Sequence, residues 1–101
     1  MDKKEIINLA RRYFKYLQVN KFNITDAYLF GSYAKGTNNA NSDIDIAFIF
    51  KDLKDEIDMQ IQLMKLRRKF DLRIEPHPFA KKDLDDASPI LQEILKTGIS
   101  I

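Results

Sequence analysis

Apolar residues recur at helical spacing from Asp2 to about Leu17: Ile6, Leu9, Ala10, Tyr13 and Leu17 share a face that Ile7 and Phe14 widen. Lys3, Lys4, Arg11, Arg12 and Lys15 lie mostly off that stripe and read first as a solvated face. Residues Asn20 to Thr25 break the pattern. From Asp26 the period falls to two, with Tyr28 and Phe30 pointing one way and Ala27 and Leu29 the other, which predicts a strand. A second strand is predicted where Ser42-Asp43-Ile44-Asp45-Ile46 runs into Ala47-Phe48-Ile49-Phe50. Helical spacing returns from about Asp55 to Lys69. Its expected buried stripe is Ile57, Ile61 and Met64, supported by Leu53, Leu63 and Leu66, and Arg67, Arg68 and Lys69 suit the negative end of the helix dipole.

Alternation resumes in Phe70-Asp71-Leu72-Arg73-Ile74-Glu75, the expected third strand, which Pro76-His77-Pro78-Phe79 is expected to end because proline cannot donate to a ladder. Ser88-Pro89 is a good cap followed by proline at the first helical position. The helix it opens carries Ile90, Leu91, Ile94 and Leu95 as its apolar stripe, with Gly98 as a fitting C-cap. The apolar tail Ile99-Ser100-Ile101 has three uses open to it: folding back on the core, adding to a sheet edge, or meeting another chain. The order of these elements predicts a small α+β domain whose mixed sheet is covered by helices mainly on one face.

Composition narrows the class. With 101 residues there is room for one domain over the whole chain and not for a second, substrate-binding one. A net charge of +2 from 17 basic and 15 acidic residues offers no bulk field for nucleic acid or membrane. The absence of cysteine removes disulfides, thiolate metal sites and cysteine nucleophiles, and a single histidine, His77, gives little support to a histidine metal cluster or a serine–histidine triad. The longest apolar run, Ile46 to Phe50, is too short to span a bilayer, so a cytoplasmic location is the default expectation.

The candidate chemistry lies between Phe30 and Phe50. Gly31-Ser32 closes the first strand with residues small enough for a phosphate to approach the backbone. Ser32 to about Lys35 is read as a short helical turn whose amides favour anions, with the Ser32 hydroxyl adding a hydrogen bond and Lys35 neutralising charge. Gly36 and Thr37-Asn38-Asn39-Ala40-Asn41 supply a turn, and Ser42 fixes the entry to the next strand. Asp43 and Asp45, two apart on a strand, share a face with Cα atoms roughly 6.5 Å apart, a spacing suited to a pair of divalent cations. An isolated Asp-x-Asp matches by chance. Two acids opening a strand, however, repel each other and have poor strand propensity, and here they follow a glycine-serine turn.

Gly31-Ser32, the ten residues Tyr33 to Ser42, and Asp43-Ile44-Asp45 together resemble the DNA polymerase β type nucleotidyltransferases, and most of all the minimal single-domain branch that accompanies HEPN-domain proteins in toxin–antitoxin pairs. The resemblance implies a polymerase β-like fold, two Mg²⁺ ions, and transfer of a nucleoside monophosphate from an NTP with release of pyrophosphate. It implies that Asp43, Asp45 and a third carboxylate are catalytic and hold the metal, and that Gly31, Ser32, Lys35 and Ser42 hold the nucleotide. Asp71 is the best match for the third carboxylate, with Glu75 on the same face about 13 Å further along as the alternative. Arg73 between them pairs with one of the acids or reaches the phosphates. By the same resemblance ATP is the donor, the acceptor is a hydroxyl of a partner HEPN toxin, and the role is that of an antitoxin. An adaptor that neutralises its partner by contact alone, its acids idle, is the competing reading, and a nucleotide sensor without turnover a weaker third. Homo- and hetero-oligomers are both open.

Overall fold

The structure, a computed structural model, describes residues 1–85 and 88–101. Helix α1 (Lys3–Val19) starts at Asp2, whose carboxylate accepts the Glu5 N–H at 2.8 Å, and buries Ile6, Leu9, Ala10, Tyr13 and Leu17. The stripe predicted from periodicity is therefore the one used. A turn through Lys21, at φ 69, leads into β1 (Ile24–Phe30). There follow α2 (Ser32–Lys35), β2 (Ile44–Phe50), α3 (Glu56–Leu66) with a 3₁₀ turn at Arg67–Lys69, β3 (Ile74–Ala80) with a 3₁₀ turn at Lys81–Asp83, α4 (Pro89–Thr97) and β4 (Ile99–Ser100).

The strands form one mixed sheet in the order β3-β2-β1-β4, with β1 antiparallel to β2 and β4 and with β3 parallel to β2. The expected α+β class and mixed sheet are what the chain adopts. Ile44, Ile46, Phe48 and Phe50 of β2 join Ile74 of β3, Leu63 of α3 and the α1 stripe in the main core. Tyr13 ties the two helices together there: its buried hydroxyl donates to the Leu63 carbonyl at 2.6 Å while its ring packs edge-on against Phe48 and Phe70. Ala47 and Ile49 alternate to the other face and are also fully buried. On that side α4 packs against β1, burying Leu91 and Ile94, so the sheet has cover on both faces. The tail resolves its three options by becoming a sheet edge, with Leu29 opposite Ile99 and Tyr28 opposite Ser100.

Two expectations are overturned. The α3 stripe of Ile57, Ile61 and Met64 is not the buried one: Leu63 is fully buried and Met59 and Leu66 pack on the core, while Ile57 and Ile61 are 75% and 49% exposed. Both sets have helical spacing and lie about half a turn apart around the helix, so periodicity alone cannot choose between them. The rotation is fixed in part by Gln60, whose amide donates to the Pro76 carbonyl at 3.0 Å.

The third strand is also displaced, beginning at Ile74 and continuing through both prolines. In a parallel strand, successive peptide groups face opposite sides. The Arg73 carbonyl accepts the Ile44 N–H at 2.8 Å, which places the peptide groups of odd-numbered residues toward β2 and those of Pro76 and Pro78 on the outer edge. No ladder donor is lost there, which is why an edge strand tolerates them. The outward carbonyls of Ile74 and Pro76 are taken by Arg67 at 2.8 Å and Gln60 at 3.0 Å. This edge is consequently sealed against further strands.

Candidate active site

Asp45 stands in the middle of a row that crosses three strands, opposite Phe30 on β1 and opposite Glu75 on β3. Its neighbours Ile44 and Ile46 are fully buried in the core, so alternation turns Asp45 to the other face, where it is partly exposed. Asp43 lies one residue before β2, two from Asp45 and separated from it by buried Ile44, and is exposed. The next row is Tyr28, Ala47 and His77. From it His77 reaches back, its Nε2 3.1 Å from Asp45 Oδ1 and its ring edge-to-face with Phe30 at 5.1 Å.

The two halves of the motif meet at Gly31. Its φ is +75°, and a Cβ there would come 2.6 Å from Asp45 Oδ2. Glycine is thus required both by the backbone and by the carboxylate that occupies the space a side chain would fill. Gly31 is the N-cap of α2, which makes Ser32 its first helical residue rather than its cap. Lys35 of α2 lies 3.8 Å from Glu93 of α4, both well exposed. Ser42 holds the loop: its hydroxyl accepts the Asn39 N–H at 2.8 Å, and Asn39 in turn accepts the Asn41 N–H at 2.8 Å.

Asp71 lies outside this row. It occupies the turn before β3, where its carboxylate accepts from the Arg73 backbone N–H at 2.8 Å, from Nε at 3.1 Å and from Nη2 at 2.8 Å. The Arg73 guanidinium holds the Asp71 carboxyl below the usual carboxylate range, and the same bond raises Arg73. Arg73 also comes within 3.4 Å of the Tyr33 hydroxyl, linking this turn to α2. Of the two readings of Arg73, the structure contains the ion pair. Glu75 has the place beside Asp45, with its Oε1 3.5 Å from Arg67 at the outer edge. His77 and Phe30 were not singled out by the motif. The signal for His77 is the Pro-x-Pro alternation once it lies on an edge strand: the intervening residue turns its peptide toward the neighbouring strand and its side chain to the face opposite the two prolines.

Among the described residues, no three of His, Cys, Asp and Glu converge as ready ligands of a single ion. The donor chemistry nonetheless fits Mg²⁺, which is bound through one or two carboxylates together with substrate phosphates and water rather than in an all-protein cage. Asp43 and Asp45 are the two carboxylates that could fill that role. A cavity of about 550 Å³ opens at the far end of β2 among Phe22, Leu53 and Met59, well away from these acids.

The sequence pattern of the family "Polymerase beta, Nucleotidyltransferase" matches residues 12–101. The chain belongs to that family. Within it, the protein adenylyltransferase MntA of Shewanella oneidensis is 34% identical over 99 residues, covering 97% of this chain; the chain spans 63% of that relative's length. A crystal structure of a toxin–antitoxin with AMP-PNP is 32% identical, with a TM-score of 0.60 over 99% of this chain and 72% of that one. A mutant MntA toxin–antitoxin complex is 31% identical, with a TM-score of 0.62 over 100% of this chain and 72% of that one. A structure described as a nucleotidyltransferase from Sulfolobus solfataricus shares the fold, with a TM-score of 0.69 and 22% identity over 97% of this chain and 80% of that one.

Proposed function

We propose that this nucleotidyltransferase moves AMP from ATP onto a hydroxyl of a partner protein, a HEPN toxin, and acts as its antitoxin. The observation that carries the reading is the packing of Asp45 against Gly31, with Asp43 beside it and Glu75 in register on the next strand. The adenylyltransferase relative supports the reaction type, the relative with AMP-PNP supports an adenine nucleotide, and the toxin–antitoxin structures support the partner.

Gly31 leaves the backbone open to the triphosphate, the Ser32 hydroxyl donates to a phosphate oxygen, and Lys35 offsets charge from the exposed end of α2. Asp43 and Asp45 would hold two Mg²⁺ ions, with Glu75 completing the set; when bound, the metal neutralises the phosphates and lowers the acceptor's pKa. The acceptor oxygen bonds to the α-phosphorus as the bond to pyrophosphate breaks, and the proton passes to a carboxylate on the acceptor side. We assign that carboxylate to Glu75 rather than Asp71, because Glu75 is in register with Asp45 and meets Arg67 only at 3.5 Å, whereas Asp71 lies in the turn before β3 and accepts three hydrogen bonds from Arg73.

The test incubates the protein and its HEPN partner with labelled ATP and Mg²⁺. Wild type and Asp71→Asn transfer label to the partner, while Asp43→Asn and Glu75→Gln lose about a hundredfold or more of the rate. Loss with Asp71→Asn and retention with Glu75→Gln reverses the assignment of the third carboxylate. Inhibition of the toxin without any label shows a binding antitoxin instead.

A further inference from the structure

Ile57 and Ile61, both exposed, and the half-buried Met64 form an apolar stripe on the outer side of α3 that the chain's own core leaves partly uncovered. Beside it is a depression of about 260 Å³ lined by Ile61, Met64, Lys65, Arg67 and Arg68. Charge along the helix is polarised, with Asp55, Glu56 and Asp58 at its start and Lys65, Arg67 and Arg68 at its end. Asp58 and Lys65 sit seven residues apart and so project from the same flank of the stripe, both exposed. The Asp58 carboxylate accepts from Gln62 at 2.7 Å, which leaves it further acceptor capacity.

These features are self-complementary under a two-fold axis. We propose that α3 pairs with α3 of a second copy of this chain, antiparallel, with the axis passing near Ile61. A two-fold axis perpendicular to both helices sets position 61−k against position 61+k. Ile61 meets Ile61 of the second copy. Ile57, 75% exposed, projects into the other copy's depression beside Met64. Asp58 comes within one residue, about 1.5 Å of rise, of Lys65 of the second copy on the same flank, and the symmetry repeats that contact. Antiparallel helix dipoles add to the attraction. Asp45 and Glu75 lie on the face opposite the core side on which α3 packs, so pairing leaves that face open, with Arg67 at the rim of the depression also meeting Glu75 at 3.5 Å. The stripe of one helix is small beside the roughly 800 Å² per partner of a standard interface, and the dimer is accordingly weak, with Kd on the order of tens of micromolar.

Sedimentation equilibrium of the purified chain, over about 1 µM to 1 mM, reads this directly. The expected mass rises from the 11.8 kDa of the monomer toward twice that value. Ile61→Glu weakens association at least about tenfold without lowering the melting temperature, because the side chain is exposed in the monomer. Asp58→Lys and Lys65→Glu each weaken it, whereas the double variant Asp58→Lys/Lys65→Glu restores it, since both contacts are then reversed together. A monomer at every concentration, a dimer indifferent to Ile61→Glu, or a double variant no better than the singles overturns the proposal. So does a monomer that loses its HEPN partner on Ile61→Glu, which would give the stripe to that partner.

Discussion

Gly31 and Asp45 are the closest-coupled pair in the site, and a methyl group distinguishes the two roles of the glycine. Gly31→Ala places Cβ where Asp45 Oδ2 lies and forces on alanine a backbone, φ 75 and ψ −150, that essentially only glycine adopts, at about 1–3 kcal/mol for the dihedral alone. Thermal melts will show that modest loss, and transfer assays a larger one, about a hundredfold, as the carboxylate is pushed off its position. At Asp71 the ion pair makes a different prediction. A carboxyl held below its ordinary value by Arg73 stabilises the fold above the unfolded pKa of about 3.9, and that contribution disappears as pH falls through the lowered value. The melting-temperature difference between wild type and Asp71→Asn should therefore stay constant from neutrality to about pH 5 and shrink below about pH 4. The glycine-serine turn and the two acids after it could be read from local spacing, because each depends on neighbours in the chain. The place of Glu75 beside Asp45 could not, since it depends on the register between two strands 30 residues apart in sequence.

Helices and strands obeyed their periodicities except where two answers were equally periodic. Helix α3 carries two apolar stripes, and the choice between them is made by contacts from elsewhere: the Tyr13 hydroxyl on the Leu63 carbonyl and the Gln60 amide on that of Pro76. Burial pushes the Tyr13 phenol above its ordinary value, so it remains a donor throughout the working pH range. Tyr13→Phe keeps the ring packing but removes that donor. It is expected to cost about 1 kcal/mol in urea unfolding, because the Leu63 carbonyl keeps the Arg67 N–H as a partner. Leu63→Ala, by contrast, opens the core and should cost about 2–5 kcal/mol in the same measurement. In β3 the prolines misled the sequence reading for a related reason: a proline ends a central strand but not the outer half of an edge one, and only the sheet order shows which applies.

For the molecule as a whole, the proposed nucleotide site draws on several elements at once: α2 after β1, the loop pinned by Ser42, Asp43 and Asp45 at the start of β2, and Glu75 of β3. Binding there should stabilise the entire fold. Mg²⁺-ATP at about one hundred times its Kd adds about 2.7 kcal/mol, which for a domain of this size raises the melting temperature by roughly 10–20 °C. Chelation of the metal by EDTA, followed by the same melt, is expected to cancel most of the shift. The fold class and three of the four strands followed from the pattern of the chain, the fourth being one of three uses open to the tail; the joining of these parts did not, because it is a property of tertiary contacts. One asymmetry of the sheet carries an architectural consequence. With proline and arginine finishing the margin of β3, additional strands can be recruited only past β4, on the flank remote from the carboxylates. Lengthening this protein, or docking an extended peptide on it, can therefore proceed from that flank without moving the chemistry.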